Sequence, residues 1–158
     1  MTQLLIENVQ SYPRPPALEC VSQTVRVMLG GIEIANSDHA CRVLDTHHAP
    51  TYYLPSSDIL SGALLPAAGR SFCEWKGVAR YWTVVAGEEL QARAAWSYPD
   101  PTSVFEALRD HVAFYASQME ACFVGELEVI PQPGDFYGGW MTPNLTCTIK
   151  VSSATQFW

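Results

Sequence analysis

The stretch Thr24-Val25-Arg26-Val27-Met28-Leu29-Gly30-Gly31-Ile32-Glu33-Ile34-Ala35-Asn36 sets the architecture of this chain. Its first half alternates, with Val25, Val27 and Leu29 on one face and Thr24, Arg26 and Met28 on the other. That is the period of a strand with one buried side. Gly30-Gly31 supplies positive φ without steric cost, as a tight two-residue turn requires, and Ile32 to Asn36 returns with Ile32 and Ile34 inward. The segment reads as a β-hairpin.

Similar signals recur on both sides. Upstream, Ser11 to Pro16 (S-Y-P-R-P-P) is an extended entry segment, because each proline fixes its own φ and restricts its predecessor. Downstream, strands are expected over Ala40 to Thr46, Thr51 to Leu54, Ser71 to Lys76, Ala79 to Ala86, Leu90 to Tyr98 and Ala121 to Val124. Gly87-Glu88-Glu89 marks one turn, and Pro99 and Pro101 end the meander. Pro55 to Leu65 is expected to hold one helical turn, capped by Ser57 or Asp58. The principal helix opens at the capping box Ser103-x-x-Glu106, with Val104, Ala107, Leu108, His111 and Val112 on one face. It is expected to stop near Asp110, since Val112-Ala113-Phe114-Tyr115 leans toward strand. Many short strands with a single helix predict a mainly β fold: a small twisted antiparallel barrel or sandwich-like domain with one principal short helix. The expected organisation is one domain over 1–158, with an extended segment (1–22), a β core (23–130) and an ordered C-terminal tail (131–158).

Composition narrows the function classes. The chain has 158 residues, 48% hydrophobic and 16% charged, with a net charge of −7. Its only lysines are Lys76 and Lys150. No basic stripe can be assembled from them, so neither nucleic acid nor an anionic membrane is an expected partner. The apolar patch Leu4-Leu5-Ile6 lacks a basic flank and is followed by Glu7, unlike a secretory signal. The five cysteines show no C-x-x-C spacing, which argues for reduced thiols in a cytoplasmic protein and against a zinc site.

Several segments resemble one family. Arg26-Val27-x-x-Gly30-Gly31 with Ile34-Ala35 is similar to its opening hairpin, and Val43-Leu44-Asp45-Thr46-x-His48 with Tyr52-Tyr53-x-Pro55-x-x-Asp58 to its next block. Phe72-Cys73-Glu74-Trp75-Lys76-Gly77-x-Ala79-x-Tyr81 resembles its central signature, continued by Ala94-Ala95-Trp96-x-Tyr98-Pro99-x-Pro101. The family is domain of unknown function 427, and Gly138-Gly139-Trp140-x-Thr142 resembles a longer branch with a C-terminal extension. The resemblance implies a compact, largely antiparallel β fold and no established reaction. Asp45 and Ala49 stand where the family pattern has Glu and Pro, and Cys147 to Ala154 lacks the glycines of its usual tail. A nucleotidyltransferase label attached to the family finds no glycine-rich phosphate loop and no paired metal-binding carboxylates here. No motif names a cofactor.

The chemistry-bearing residues cluster in the middle of the chain. Strand alternation through Ser71 to Lys76 would put Cys73 and Trp75 on one face and Phe72, Glu74 and Lys76 on the other. Lys76 thus sits amid rings, where it can bind an anion, face an aromatic ring, act as a desolvated amine, or merely pair with Glu74 at the surface. The leading expectation is a small-molecule-binding domain, enzymatic or not. Its cleft would lie between the central strands and Tyr52 to Asp58, lined by Tyr53, Asp58, Lys76, Tyr81, Trp96 and Tyr98, with Arg26 as a further anion partner. Two alternatives stand beside it: an interaction module or homodimer using the aromatic surface and the Gly138-Gly139-Trp140 tail, and a thiol-dependent enzyme at Cys73. His47 and His48 beside Asp45 lack a third metal ligand at diagnostic spacing, and only one of two adjacent histidines can join a given site.

Overall fold

A computed structural model describes residues 5–133, 138–146, 148–150 and 155–157. In chain order the first strands are β1 (Glu7–Asn8), β2 (Ala17–Cys20), β3 (Val25–Leu29), β4 (Ile32–Ser37), β5 (Cys41–Leu44) and β6 (Thr51–Pro55). The central ones are β7 (Leu64–Cys73), β8 (Gly77–Ala86), β9 (Glu89–Ser97), β10 (His111–Phe114) and β11 (Ala121–Val124). Short strands complete the set: β12 (Leu127–Glu128), β13 (Ile130–Pro131), β14 (Trp140–Met141), β15 (Leu145–Thr146), β16 (Thr148–Lys150) and β17 (Thr155–Phe157).

A seven-stranded sheet in the order β2-β5-β6-β10-β9-β8-β7 packs against a four-stranded sheet, β12-β11-β3-β4. Every pairing in both sheets is antiparallel, and the two edges of the larger sheet do not meet, so the sandwich-like alternative holds rather than a closed barrel. The β3–β4 hairpin forms where expected, with Gly30 and Gly31 both at positive φ. Gly30 could not be replaced freely, because a Cβ there would press on the Ala86 carbonyl.

Alternation assigns each face of the larger sheet a task. Tyr52 and Leu54, and likewise Val112 and Phe114, point into the inter-sheet core with Val25, Val27 and Ile34. Tyr53, Trp96 and Ala113 point the other way and join Val43, Tyr98 and Phe105 in a second apolar cluster. Phe114 is fully buried, and that burial contributes about 2–3 kcal/mol. Trp140 lies inside the core as well, stacked on Tyr52 at 5.2 Å and donating Nε1–H to the Phe114 carbonyl at 2.9 Å. It is therefore no surface anchor for a partner.

Several local expectations are corrected. The principal helix does occupy Ser103–Leu108 and ends before Asp110, but it is a 3-10 segment kinked at Phe105. Its capping box does not form: Thr102 is the cap residue, and Glu106 binds Arg109 instead. Ser56–Asp58 is also 3-10 and has no side-chain cap. Glu74 to Lys76 is a turn rather than strand, so the alternation inferred for Cys73 through Lys76 stops at Cys73. Ala17–Cys20, inside the expected entry segment, is a strand of the larger sheet. The tail is described only in part, and Cys147 and Val151 to Ala154 lie outside the described residues. Among the described residues no helix is long and apolar enough to cross a membrane.

Candidate functional site

The ring-bearing face of the larger sheet floors an open cleft of about 660 Å³. Trp96 stands at its centre, meeting Tyr115 at 4.4 Å and the edge of Tyr53 at 6.4 Å. Tyr53 in turn lies 6.3 Å from Tyr98. Burial raises the phenol pKa of Tyr53, Tyr98 and Tyr115, so their hydroxyls stay protonated at neutral pH.

Two cations join the rings. Lys76 Nζ lies 5.7 Å from the Tyr98 ring centroid. The turn that carries it is tied down by Thr102, whose Oγ1 donates to the Trp75 carbonyl at 2.6 Å and whose N–H donates to the Lys76 carbonyl at 3.1 Å. Gly77 permits this approach: at φ 110 its bare Cα faces the Asp100 carbonyl where a Cβ would crowd it. The second cation, Arg93, lies 4.2 Å over the Tyr81 ring. Strict alternation from Trp96 would aim Arg93 at the core. The β8–β9 register instead shifts between Trp82 and Val84, and Arg93 adopts φ 51, turning its side chain onto the cleft face. A bulge with a non-glycine residue at positive φ is a costly arrangement, and such arrangements concentrate at functional sites.

The far wall is polar. Asp45 Oδ1 is buried, with the Arg14 guanidinium 3.7 Å away in ion-pair range. His48, also on the cleft, donates Nδ1–H to the Thr46 carbonyl at 2.8 Å. Gln132 accepts from Ala49 N–H at 2.9 Å and holds Gly139 by a backbone bond of 3.0 Å. Gly138 rests directly on the Trp96 indole, where any side chain would overlap the ring.

The cleft brings together Tyr53, Lys76, Tyr81, Trp96 and Tyr98 from the residues expected on sequence grounds. Arg26 and Asp58 do not line it. Arg26 lies on the four-stranded sheet, 4.5 Å over the Phe123 ring and 3.7 Å from Glu33. Asp58 accepts from Ser37 Oγ at 2.6 Å, which fastens Ser56–Asp58 to β4. Cys73 does line the cleft, along with Lys76, because the turn brings both to one side. Arg93, Tyr115 and Gly138 were missed, and only the scarcity of basic residues could have flagged Arg93. Among the described residues, no three His, Cys, Asp or Glu side chains gather as metal ligands.

The fold and cleft define a β-sandwich with an open aromatic floor on its larger sheet. Residues 17–125, more than half of the chain, match the family model described as Domain of unknown function (DUF427), and the chain belongs to that family. The wall residues Gln132, Gly138 and Gly139 lie beyond the matched span. No curated protein matches the chain.

Proposed function

We propose that this protein binds a small, flat, negatively charged molecule in the cleft. The observation that carries the reading is the convergence of Trp96, Tyr98 and Tyr81 with Lys76 and Arg93 on one open face. Flat rings stack against planar ligands, the phenols donate hydrogen bonds, and the cations balance an acid group. A volume of about 660 Å³ fits the range of small-molecule sites, roughly 300–1,000 Å³. Because Gln132, Gly138 and Gly139 close one end, the C-terminal segment belongs to the same functional unit as the β core. The unpaired cysteines suit a reducing compartment, the cytoplasm.

The test is a thermal-melting panel of small aromatic carboxylates, sulfonates and phosphates against their neutral amides. A ligand that binds only the folded state raises Tm with concentration. Anionic members should raise it and neutral ones much less. A panel in which neither class moves Tm contradicts the reading.

A second reading has its own observation. Phe72 is 76% exposed and Val78, directly opposite it on β8, 43% exposed, an apolar pair at the rim of the cleft. A self-association surface there would give a dimer by light scattering that Phe72→Ser dissolves.

A further inference from the structure

A second constellation lies away from Lys76 and Arg93. Strands β2 and β5 place Cys20 directly opposite Cys41. In an antiparallel ladder, hydrogen-bonded rungs alternate with unbonded ones, and unbonded partners approach to about 4.5 Å between Cα atoms with their side chains on one face. Val21 N–H donates to the Ala40 carbonyl at 2.9 Å, so Val21 and Ala40 form the bonded rung and Cys20 and Cys41 the unbonded one beside it. That spacing falls within the roughly 4.4–6.8 Å a disulfide spans. Both thiols are unpaired, Cys20 exposed and Cys41 buried.

A base meets the inner thiol. On β6, Tyr53 faces Cys41 of β5 while Pro55, on the same side, faces His111 of β10. His111 Nε2 therefore comes to 3.9 Å from Cys41 Sγ. His111 Nδ1 is 2.9 Å from the Arg109 carbonyl, which can only accept, so the ring proton sits on Nδ1. In the neutral ring Nε2 then carries the lone pair, within reach of a hydrogen bond from the Cys41 S–H. Burial pushes the Cys41 thiol up, so at rest it keeps that proton.

We propose that Cys20, Cys41 and His111 form a redox-responsive thiol site that closes reversibly to a cross-strand disulfide on meeting a low-molecular-weight disulfide. The Cys20 thiolate, its proton lost to water, attacks one sulfur of the small disulfide. That S–S bond breaks and the first small thiolate leaves, taking a proton from water. Cys41 then passes its proton to His111 Nε2, and its sulfur attacks the Cys20 sulfur of the mixed disulfide. The second small thiolate leaves and takes the proton from His111. Two protein thiols are oxidised by two electrons, and one small disulfide is reduced to two thiols. The product ties β2, an edge strand that among the described residues pairs only with β5, to the sheet.

The experiment treats the reduced full chain with oxidised glutathione, quenches with iodoacetamide and maps the peptides by mass. The expected product joins Cys20 to Cys41, with Cys73 and Cys122 alkylated after unfolding. In Cys20→Ser, whose site is exposed, Cys41 should stay reduced. In Cys41→Ala, Cys20 should stop at the mixed disulfide. His111→Gln should leave the first step unchanged and slow closure about a hundredfold. A wild-type chain that stalls at the mixed disulfide overturns the proposal, as does a His111→Gln variant that closes at the wild-type rate.

Discussion

Lys76→Met and Arg93→Met put the electrostatic half of the binding account to work on a measurable quantity. Methionine keeps the length and apolar stem of either side chain and removes only the charge. A hydrogen bond to an ionised group is worth about 1.5–3 kcal/mol. Arg93 lies over a ring at an open cleft, where solvent screens it, so the lower end applies. About 1.5 kcal/mol is roughly a tenfold loss of affinity for each variant, and about a hundredfold for the pair if the two act independently. The assay is a fluorescence titration with anilinonaphthalene sulfonate, a flat anion, beside uncharged phenylnaphthylamine, which keeps the rings and lacks the sulfonate. The charged dye should lose affinity in both variants, and the neutral dye should be unaffected. Equal losses for both dyes would mean that the substitutions disturb the fold. No loss for either would refute the role given to the cations.

Other consequences concern the walls and the frame. Gly138→Leu should abolish dye binding and cost about 1–3 kcal/mol in urea unfolding, because the new side chain must displace the Trp96 indole. Arg42→Met should cost about 2 kcal/mol by the same measurement, since Arg42 binds Glu7 at 2.7 Å and Glu19 at 2.5 Å and is itself nearly buried. Burial opposes ionisation of Glu7, but the bonds from Arg42 and Tyr12 outweigh it and hold its carboxyl below the ordinary range. That contribution is complete above the unfolded carboxyl pKa of about 4.3 and is lost as pH falls through the lower folded value. Acid titration should therefore destabilise the wild type more steeply than Arg42→Met. At the alkaline end the sign reverses. Burial raises the phenols of Tyr12, Tyr53 and Tyr98, so melting temperature should begin to drop above about pH 10, where only the unfolded state ionises.

The parts of the fold that sequence discloses are those where the two sides of a strand meet different surroundings. Val25, Val27 and Leu29 face a core while Arg26 and Met28 do not, and the β3–β4 hairpin can be read residue by residue. The Glu74 to Lys76 turn could not be read so, because its geometry depends on Thr102, distant in sequence, bonding two of its carbonyls. The same interaction commits the Thr102 side chain elsewhere, while Arg109 takes Glu106, and the capping box is lost. The place of Lys76 on the cleft was recoverable because it is a rare charge embedded among aromatics. Arg26 and Asp58 were misplaced because alternation reports which residues share a face, not which sheet that face belongs to. Arg93 reaches the cleft only through a two-residue shift of register and a positive φ, and no periodic pattern encodes that.

Amide chemical-shift mapping gives the most direct trial of the binding account. The ¹⁵N-labelled chain would be titrated with an aromatic sulfonate. Shifts should concentrate at Tyr53, Lys76, Arg93, Trp96 and Gly138 and leave Arg26 and Asp58 still. Shifts scattered over the four-stranded sheet, or none at the Trp96 indole N–H, would contradict it.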